Sequence, residues 1–269
     1  MTAEIIQDDV LHALQDFERR GEKFDAVVMD PPYCSGGLLP AQVARSGITK
    51  YSEMTTLGDF EDGMSALTFW RFMIEVFRGS KRVLKQPGYT FSFIDWRQYQ
   101  VIFSAMERGG LRLTGSITWF KLNSRPNPGQ FMQDSEFVIY ATNGSKENGK
   151  FGGHSVVTCP APITCSRIHP TQKPEKVYAH LYKILEDGAR ILELFSGSAS
   201  GGVAAIHRGF DYIGVESSPF YVASSRKRLR DELARKDFLE PKTDHKEESK
   251  EETPLFPSLN NDDSELVTR

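Results

Sequence analysis

The sequence predicts an α/β protein with a mostly parallel, doubly wound sheet, because short apolar runs of strand length alternate with segments of helical periodicity. The apolar runs are bounded by turn residues, as buried strands are. They occupy residues 4–6, 24–29, 89–94, 116–120, 136–140, 190–194 and 212–215. This alternation favours parallel strands joined by helices on both faces of one sheet.

Helical periodicity is clearest in two segments. Residues 67–84 present one apolar face, formed by Leu67, Trp70, Met73, Ile74 and Phe77. Residues 174–185 repeat the same spacing. Further helices are predicted to end near residue 207 and to run from residue 219 to about 233.

The composition fits one large domain. With 39% hydrophobic residues among 269, the chain can bury a substantial core. We expect the domain to span residues 1–240, with residues 121–168, rich in Asn, Gly, Ser and Pro, as an insertion or a long functional loop. Residues 241–269 hold eight acidic and four basic residues, which predicts a disordered acidic tail.

Several protein classes are excluded at this stage. No apolar run reaches the roughly 18 residues that a membrane span needs, and the N-terminus is too polar for a secretory signal, which predicts a cytoplasmic protein without a membrane partner. Cys34, Cys159 and Cys165 lack the spacing of a metal site or a disulfide framework. No metal centre is therefore expected.

Residues 190–216 have the pattern of a βαβ unit with a small-residue turn after its first strand. The backbone can approach a ligand closely at Gly197, and Glu216 follows at the end of the second strand, where a carboxylate can accept hydrogen bonds from both ribose hydroxyls. Ala199 breaks both the GxGxxG pattern of dinucleotide sites and the GxSxG pattern of hydrolases. A nucleoside cofactor without phosphates fits best, and a βαβ unit with an ordinary turn is the alternative.

The run Asp30-Pro31-Pro32-Tyr33 ends an apolar strand, at the edge of the sheet where α/β enzymes place their chemistry. Successive prolines make the turn rigid. The Asp30 carboxylate and the Pro31 carbonyl can each accept one N–H of an exocyclic base amine, which directs the nitrogen lone pair toward a methyl donor. The Tyr33 ring can stack on a base that has left the helix. These four residues are the predicted catalytic group, and we call them the clamp.

The order of these motifs resembles that of the beta group of DNA amino-methyltransferases, which act on adenine N6 or cytosine N4. The resemblance rests on the DPPY run, the HPTQKP run at 169–174, the loop from Glu193 to Gly197, and Glu216. Asp9-Val10-Leu11 is also similar to the family's Gly-Asp-x-Leu segment, with Asp8 in place of glycine. The resemblance implies a Rossmann-like fold of the S-adenosylmethionine-dependent methyltransferase type in circularly permuted order.

The resemblance also implies the cofactor, S-adenosyl-L-methionine, and the residues that hold it. Asp9 is expected to meet the cofactor's adenine amine, Thr171 and Lys173 to lie near its amino-acid end, and Phe195 to border the sulfonium. Taken one at a time, Lys173 could equally be a surface lysine at a helix start, and Asp9 a helix cap. Glu216 and the loop complete the predicted cofactor set, with Glu193, Ser196, Gly197 and Ser198. The loop departs from the family where Glu193 replaces the usual Asp, and at Ala199 and Ser200.

Asp at the first clamp position resembles the adenine enzymes, so site-specific N6-adenine methylation of double-stranded DNA, as in restriction-modification, is the predicted function. N4-cytosine methylation and RNA adenine methylation are the enzymatic alternatives. Carbon-5 methylation needs a nucleophilic cysteine, and neither Cys34 nor Cys159 has the expected Pro-Cys setting. A non-catalytic methyltransferase-like binding subunit would require a damaged clamp, whereas the DPPY run is intact.

Two stretches could contact the polynucleotide. Arg45 and Lys50 belong to a predicted loop after Tyr33 that could close over the flipped base. Phosphate contacts are predicted for Lys121, Arg125 and Arg167, and for each alone an ordinary solvated charged loop is the alternative. The segment available for sequence reading is short, which implies a short recognition site or a second subunit, as in a homodimer, that shares the reading. The permuted order further predicts that the strand at residues 4–6 lies beside the strand at 212–215.

Overall fold

The computed structural model describes residues 1–33, 65–126, 128–145, 150–162 and 172–239. Four predicted contact residues lie outside these ranges, as does the predicted tail at 241–269: Arg45, Lys50, Arg167 and Thr171.

The described residues form one eight-stranded sheet of mixed direction. Its strands in chain order are β1 (Ala3–Gln7), β2 (Phe24–Met29), β3 (Leu84–Ile94), β4 (Arg112–Phe120), β5 (Ser135–Asn143), β6 (Val156–Thr158), β7 (Arg190–Leu194) and β8 (Asp211–Glu216). The spatial order is β1-β8-β7-β2-β3-β5-β4-β6. Pairings from β1 to β3 are parallel, and β5 is antiparallel to both of its neighbours. Each of the seven predicted strands is confirmed; β6 was not predicted.

Helices cover both faces of the sheet, as the sequence predicts. They are α1 (Val10–Arg19), α2 (Ala66–Val83), α3 (Tyr99–Arg108), α4 (Glu175–Leu181), α5 (Ser200–Arg208) and α6 (Pro219–Leu239), with a short 3₁₀ turn at Tyr182–Ile184. One buried cluster joins α1, α2 and α3 to the sheet, and a second joins α4, α5 and α6 to the opposite face. Successive residues of β2 alternate between the clusters, with Val27 in the first and Val28 in the second, because side chains of a strand point to opposite faces.

The first strand of the chain lies at an edge of the sheet, beside the last strand in sequence. Strand β1 pairs in parallel with β8, the last strand in sequence, and Gln7 lies opposite Glu216. Helix α6 then packs back on the first strand, where the Arg226 guanidinium donates to the Ile5 carbonyl at 2.9 and 3.1 Å. The predicted permuted order is therefore confirmed.

Strand β5 falls inside the predicted insertion at 121–168, yet it lies between β3 and β4 in the sheet. Its register with β3 runs without interruption from Gly88↔Asn143 to Ile94↔Phe137. Strand β6 extends the sheet from the outer side of β4. Strands β5 and β6, 9 and 3 residues long, thus build part of the predicted insertion into the sheet.

Candidate functional site

The site lies at the carboxyl ends of the adjacent strands β2 and β7, from which the strand order runs in opposite directions along the sheet. Met29 of β2 pairs with Leu194 of β7, and the next residues along the chain are Asp30 and Phe195. From β7 the chain crosses through α5 to β8 on one side, whereas β3 flanks β2 on the other. Such a switch in strand order opens a crevice at the carboxyl ends of the strands. The predicted cofactor loop and the predicted clamp therefore start side by side.

The loop after β7 has three residues in left-handed conformations, Phe195 (φ 57°), Gly197 (φ 48°) and Ala199 (φ 55°). Left-handed backbone costs roughly 1–2 kcal/mol for a non-glycine residue, so surrounding contacts must hold the turn. The Ser196 N–H donates to the Val215 carbonyl at 3.0 Å, and the Ala199 N–H donates to the Ser196 carbonyl at 2.7 Å. Ala199, the departure from the family pattern, precedes α5 and is fully buried.

Glu216 holds this loop from the end of β8. Its Oε2 accepts the Gly197 N–H at 2.9 Å, and its Oε1 accepts the Ser218 N–H at 2.9 Å. Burial raises the pKa of the Glu216 carboxyl, and these backbone donors partly offset the rise. Each oxygen that accepts one backbone proton still has a second lone pair, so the carboxylate can also accept hydroxyl donors from a ligand.

Asp9 lies at the same end of the sheet. The Asp8 N–H donates to the Glu216 carbonyl at 3.1 Å, which continues the pairing of β1 with β8 toward Asp9. Asp9 is the N-cap of α1, and its Oδ1 accepts from the N–H groups of Leu11 and His12 at 2.9 and 3.2 Å. It thus has the capping role that the sequence left open, one residue after the backbone bond between Asp8 and Glu216.

Helix α6 supports the loop from behind. The Ser225 hydroxyl donates to the Gly197 carbonyl, and Arg228 Nη1 donates to the Ser198 carbonyl at 2.6 Å. Arg228 Nη2 also binds Glu175 Oε1 at 2.5 Å, which ties the loop to the first residue of α4. Sequence reasoning missed both residues because the pattern of α6 gives no sign of which side chains face the loop.

Glu193, predicted as part of the cofactor set, is only 1% exposed. Its Oε2 accepts from the Tyr212 hydroxyl, and Tyr178 also bonds the carboxyl. Burial raises the pKa of Glu193 to about 7, although both phenols lower it. A Cβ at Gly201 would stand 2.6 Å from Glu193 Oε2, so this glycine allows α5 to pass over the carboxyl group.

The clamp residue Asp30 has an ion-pair partner. Lys173 Nζ donates to Asp30 Oδ1 at 2.9 Å and to Oδ2 at 2.7 Å. Lys173 is 5% exposed, so it is not the surface lysine that its position before a helix allowed. Its ammonium also lies 5.0 Å from the centre of the Tyr33 ring, within cation–π distance. The DPPY run and the predicted cofactor lysine thus form one cluster.

Glu136 of β5 joins this cluster and was not predicted. Its Oε2 lies 3.5 Å from Lys173 Nζ and 3.5 Å from the Tyr33 hydroxyl, and its Oε1 lies 2.6 Å from Lys121 Nζ. Lys121, Glu136, Lys173 and Asp30 therefore alternate in charge; we name them the clamp network. A sign in the sequence was available, because Glu136 is an acidic residue at the start of an otherwise apolar predicted strand.

Protonation in the clamp network follows from this alternation. Burial is the largest influence on the pKa of Asp30 and raises it, whereas Lys173 opposes the rise. Burial would also raise the pKa of Glu136, but Lys173 and Lys121 outweigh it and hold that pKa below its usual value. Burial would lower the pKa of Lys173, yet the two carboxylates raise it. Lys173 is therefore a cation at neutral pH.

A family model described as DNA methylase matches residues 24–158, from the clamp strand through β6. The chain belongs to this family of DNA methylases. Among curated relatives, the chain is 26% identical to the Type II methyltransferase M2.DpnII of Streptococcus pneumoniae, with 78% of this chain and 84% of the relative covered. It is 24% identical to the Type II methyltransferase M.HinfI of Haemophilus influenzae, over 84% of this chain and 68% of the relative.

Solved structures share the fold of this DNA methylase. The M1.HpyAVI–SAM complex superposes with a TM-score of 0.64 at 21% identity, covering 85% of this chain and 99% of that one. The PvuII DNA methyltransferase, described as cytosine-N4-specific, gives a TM-score of 0.65 at 13% identity, covering 87% of this chain and 92% of that one. At such identities the likeness establishes the fold alone.

The residues predicted to contact DNA phosphates differ in their surroundings. Arg125 is exposed in the β4–β5 connection of the methylase, near Leu122 and Phe131, which are 62% and 94% exposed. Lys121, by contrast, has a side chain only 18% exposed, with its ammonium paired to Glu136. Its part in phosphate binding remains a prediction.

Two further observations concern the described part of the methylase. Within it, no helix is long and apolar enough to cross a membrane. Across the same ranges, no group of three or more His, Cys, Asp or Glu side chains could hold a metal ion.

Proposed function

We propose that this DNA methylase transfers a methyl group from S-adenosyl-L-methionine to the exocyclic N6 of an adenine in double-stranded DNA. One observation carries the proposal: the strand that ends in Asp30 pairs directly with the strand that ends in the Gly197 loop. A base amine bound at the first strand therefore lies next to a donor bound at the second. Such placement removes much of the entropic cost of bringing two reactants together.

The carboxylates near the loop are acceptors that fit a nucleoside cofactor. Glu216 is a pure acceptor at the end of β8, suited to a ribose diol, and Asp9 lies at the adjacent strand end for an adenine amine. Phe195, Ser196, Gly197 and Ser198 form the turn after β7, on the other side of β8 from Asp9. Lys173 lies on the clamp side, where it binds Asp30. The bound cofactor supplies an electrophilic methyl group on a sulfonium. No phosphate needs to be accommodated.

The clamp acts on the nucleophile. The amine lone pair of adenine is delocalised into the ring, and its nitrogen must approach tetrahedral geometry to accept a methyl group. Asp30 and the Pro31 carbonyl accept one N–H each, which holds the lone pair toward the donor and stabilises the positive charge that develops. Lys173 favours the ionised form of Asp30 that this role requires.

The target base must leave the duplex to reach the buried Asp30 carboxylate. Tyr33 borders the clamp with its ring beneath the Lys173 ammonium, and a flipped base can stack on that ring. Arg125, on the exposed β4–β5 connection, is suited to contact the phosphate backbone around the site. Pro32 keeps the turn between Asp30 and Tyr33 rigid.

Adenine is favoured over cytosine by the aspartate at the first clamp position, where N4-cytosine enzymes more often have serine. The curated relatives are named Type II methyltransferases, which supports a role beside a restriction endonuclease. The fold shared with a cytosine-N4-specific enzyme does not decide the base. We assign the catalytic unit to residues 1–240.

Product analysis tests the proposal. Purified protein is incubated with mixed-sequence DNA and methyl-labelled S-adenosylmethionine, and the digested nucleosides are separated. The expected product is N6-methyl-2′-deoxyadenosine, formed far more slowly by an Asp30→Asn variant. Label in N4-methyl-2′-deoxycytidine would contradict the assignment of the base. Label transferred to RNA in a parallel reaction, with none transferred to DNA, would contradict the assignment of the substrate.

A further inference from the structure

The clamp network raises a question that the methyl-transfer mechanism leaves open. Asp30 must accept a hydrogen bond from the target amine, yet both of its oxygens accept from Lys173, at 2.9 and 2.7 Å. Charge-assisted hydrogen bonds are roughly twice as strong as neutral ones. The Lys173 ammonium therefore competes with the target amine for the Asp30 carboxylate, unless another group weakens its binding to Asp30.

Glu136 is placed to moderate that competition. Its Oε2 lies 3.5 Å from Lys173 Nζ, farther than either oxygen of Asp30. Its own charge is retained because Lys121 binds its Oε1 at 2.6 Å. The side chains of Lys173, Asp30 and Glu136 are 5%, 16% and 18% exposed, so solvent screens their interactions weakly. Because the Lys173 ammonium interacts with the Glu136 carboxylate as well, it binds the Asp30 carboxylate less strongly.

We infer that Glu136 is a positioning residue: it draws the Lys173 ammonium partly away from Asp30, so that the Asp30 carboxylate can receive the target amine. Lys121 holds Glu136 in this role from the other side. The network brings together four segments, namely the ends of β2 and β4, the start of β5 and the residues before α4. This inference rests on the proposed function, because it concerns the acceptor of the base amine.

The test separates transfer rate from cofactor affinity. Glu136→Gln keeps the shape of the side chain and removes its charge, which leaves Lys173 wholly to Asp30. The single-turnover rate at saturating DNA and S-adenosylmethionine should fall about tenfold, the equivalent of one charged hydrogen bond. Cofactor affinity, measured by calorimetry, should match that of wild type, and Glu136→Asp should recover part of the rate.

Asp231→Asn is the matched control, because it removes a carboxylate from an exposed ion pair of the same 2.6 Å length, with Lys227. Thermal unfolding of each variant verifies that it is folded. If Glu136→Gln fails to fold, Glu136→Asp tests the inference in its place. Its transfer rate should lie below that of wild type, with cofactor affinity unchanged, and a wild-type rate would overturn the inference.

Three outcomes would overturn the inference. A wild-type rate in Glu136→Gln would show that Glu136 does not influence the clamp. A parallel loss of cofactor affinity would assign Glu136 and Lys173 to the cofactor site instead. A wild-type protein that transfers no label to DNA would overturn the proposed function, and the inference with it, whereas the first two outcomes leave that function standing.

Discussion

The cofactor loop and the clamp lie at the ends of adjacent strands but are held by different kinds of contact. Backbone groups and short-range bonds dominate at the loop, where Glu216 accepts the Gly197 N–H across one βαβ unit. At the clamp, Asp30 is held by Lys173, 143 residues away along the chain, and through it by Glu136. One region is a local motif, and the other is assembled from distant segments.

This difference has a chemical consequence. A backbone donor has a fixed position and keeps its proton, so the loop presents nearly the same surface to every ligand. In an ion-pair network, an ammonium can move toward one carboxylate and away from another, because both carboxylates compete for it. The loop is therefore suited to binding, whereas the clamp is suited to a step in which charge develops on the substrate. Substitutions in the two regions should have different kinetic signatures.

The largest effect is expected at the clamp itself. Asp30→Asn should lower the single-turnover rate by about 100- to 1000-fold, the range for removing one preorganised group that stabilises transition-state charge. The readout is label transfer at saturating cofactor. Asp25→Asn is the control, because Asp25 lies near the other end of β2 and pairs with Lys85 at 2.8 Å. A near-wild-type rate in Asp30→Asn would remove Asp30 from the mechanism.

The second prediction concerns the buried carboxyl of Glu193. Its pKa is raised from 4.5 to about 7 in the folded protein, so the folded state binds the proton more tightly than the unfolded chain. The contribution of Glu193 to the free energy of unfolding is fully present below pH 4.5. It is lost as the pH rises through 7, and the total loss is about 3 kcal/mol. Glu193→Gln cannot ionise and should avoid that loss.

Urea unfolding at pH 5 and pH 8 measures this effect. The free energy of unfolding of Glu193→Gln, relative to wild type, should be higher at pH 8 than at pH 5. An equal difference at both values would mean that Glu193 titrates alike in the folded and unfolded states, and that its two tyrosine partners balance the cost of burial.

Tyr33 should show an intermediate effect that depends on the ring. Tyr33→Ala should cost roughly 1–3 kcal/mol of base stacking, measured as the loss of kcat/KM for DNA. Tyr33→Phe keeps the ring and loses the hydroxyl, which lies 3.5 Å from Glu136 and also interacts with Asp30, so it should be milder. Equal losses in both variants would assign the role to the hydroxyl.

The smallest effect is expected behind the loop. Ser225→Ala removes the hydroxyl that donates to the Gly197 carbonyl and should weaken cofactor binding by about 1 kcal/mol. Ser224→Ala is the neighbouring control, since that hydroxyl bonds Phe220 within the same helix, on its exposed side. Identical affinities for the two variants would show that the Ser225 hydroxyl does not support the loop.

The features that could be predicted from the sequence are the local motifs, and those that could not are the contacts between distant segments. The loop, Glu216 and the DPPY run were predictable because each is a contiguous motif at a strand end, and the permuted order was predictable because the motifs must share one cofactor. Glu136, Ser225 and Arg228 were not, since their roles depend on which distant strand or helix packs beside them. Lys173 was identified by motif, yet its contact with Asp30 required the fold.

The separation of binding from chemistry is the central claim, and calorimetry of S-adenosylmethionine binding tests it most directly. Glu216→Gln should weaken binding by about 1–3 kcal/mol, because one oxygen that accepts hydrogen bonds becomes an amide donor. Asp30→Asn should bind the cofactor as wild type does, although its transfer rate is lost. A loss of affinity in Asp30→Asn equal to that in Glu216→Gln would contradict the claim and make the two regions a single binding site.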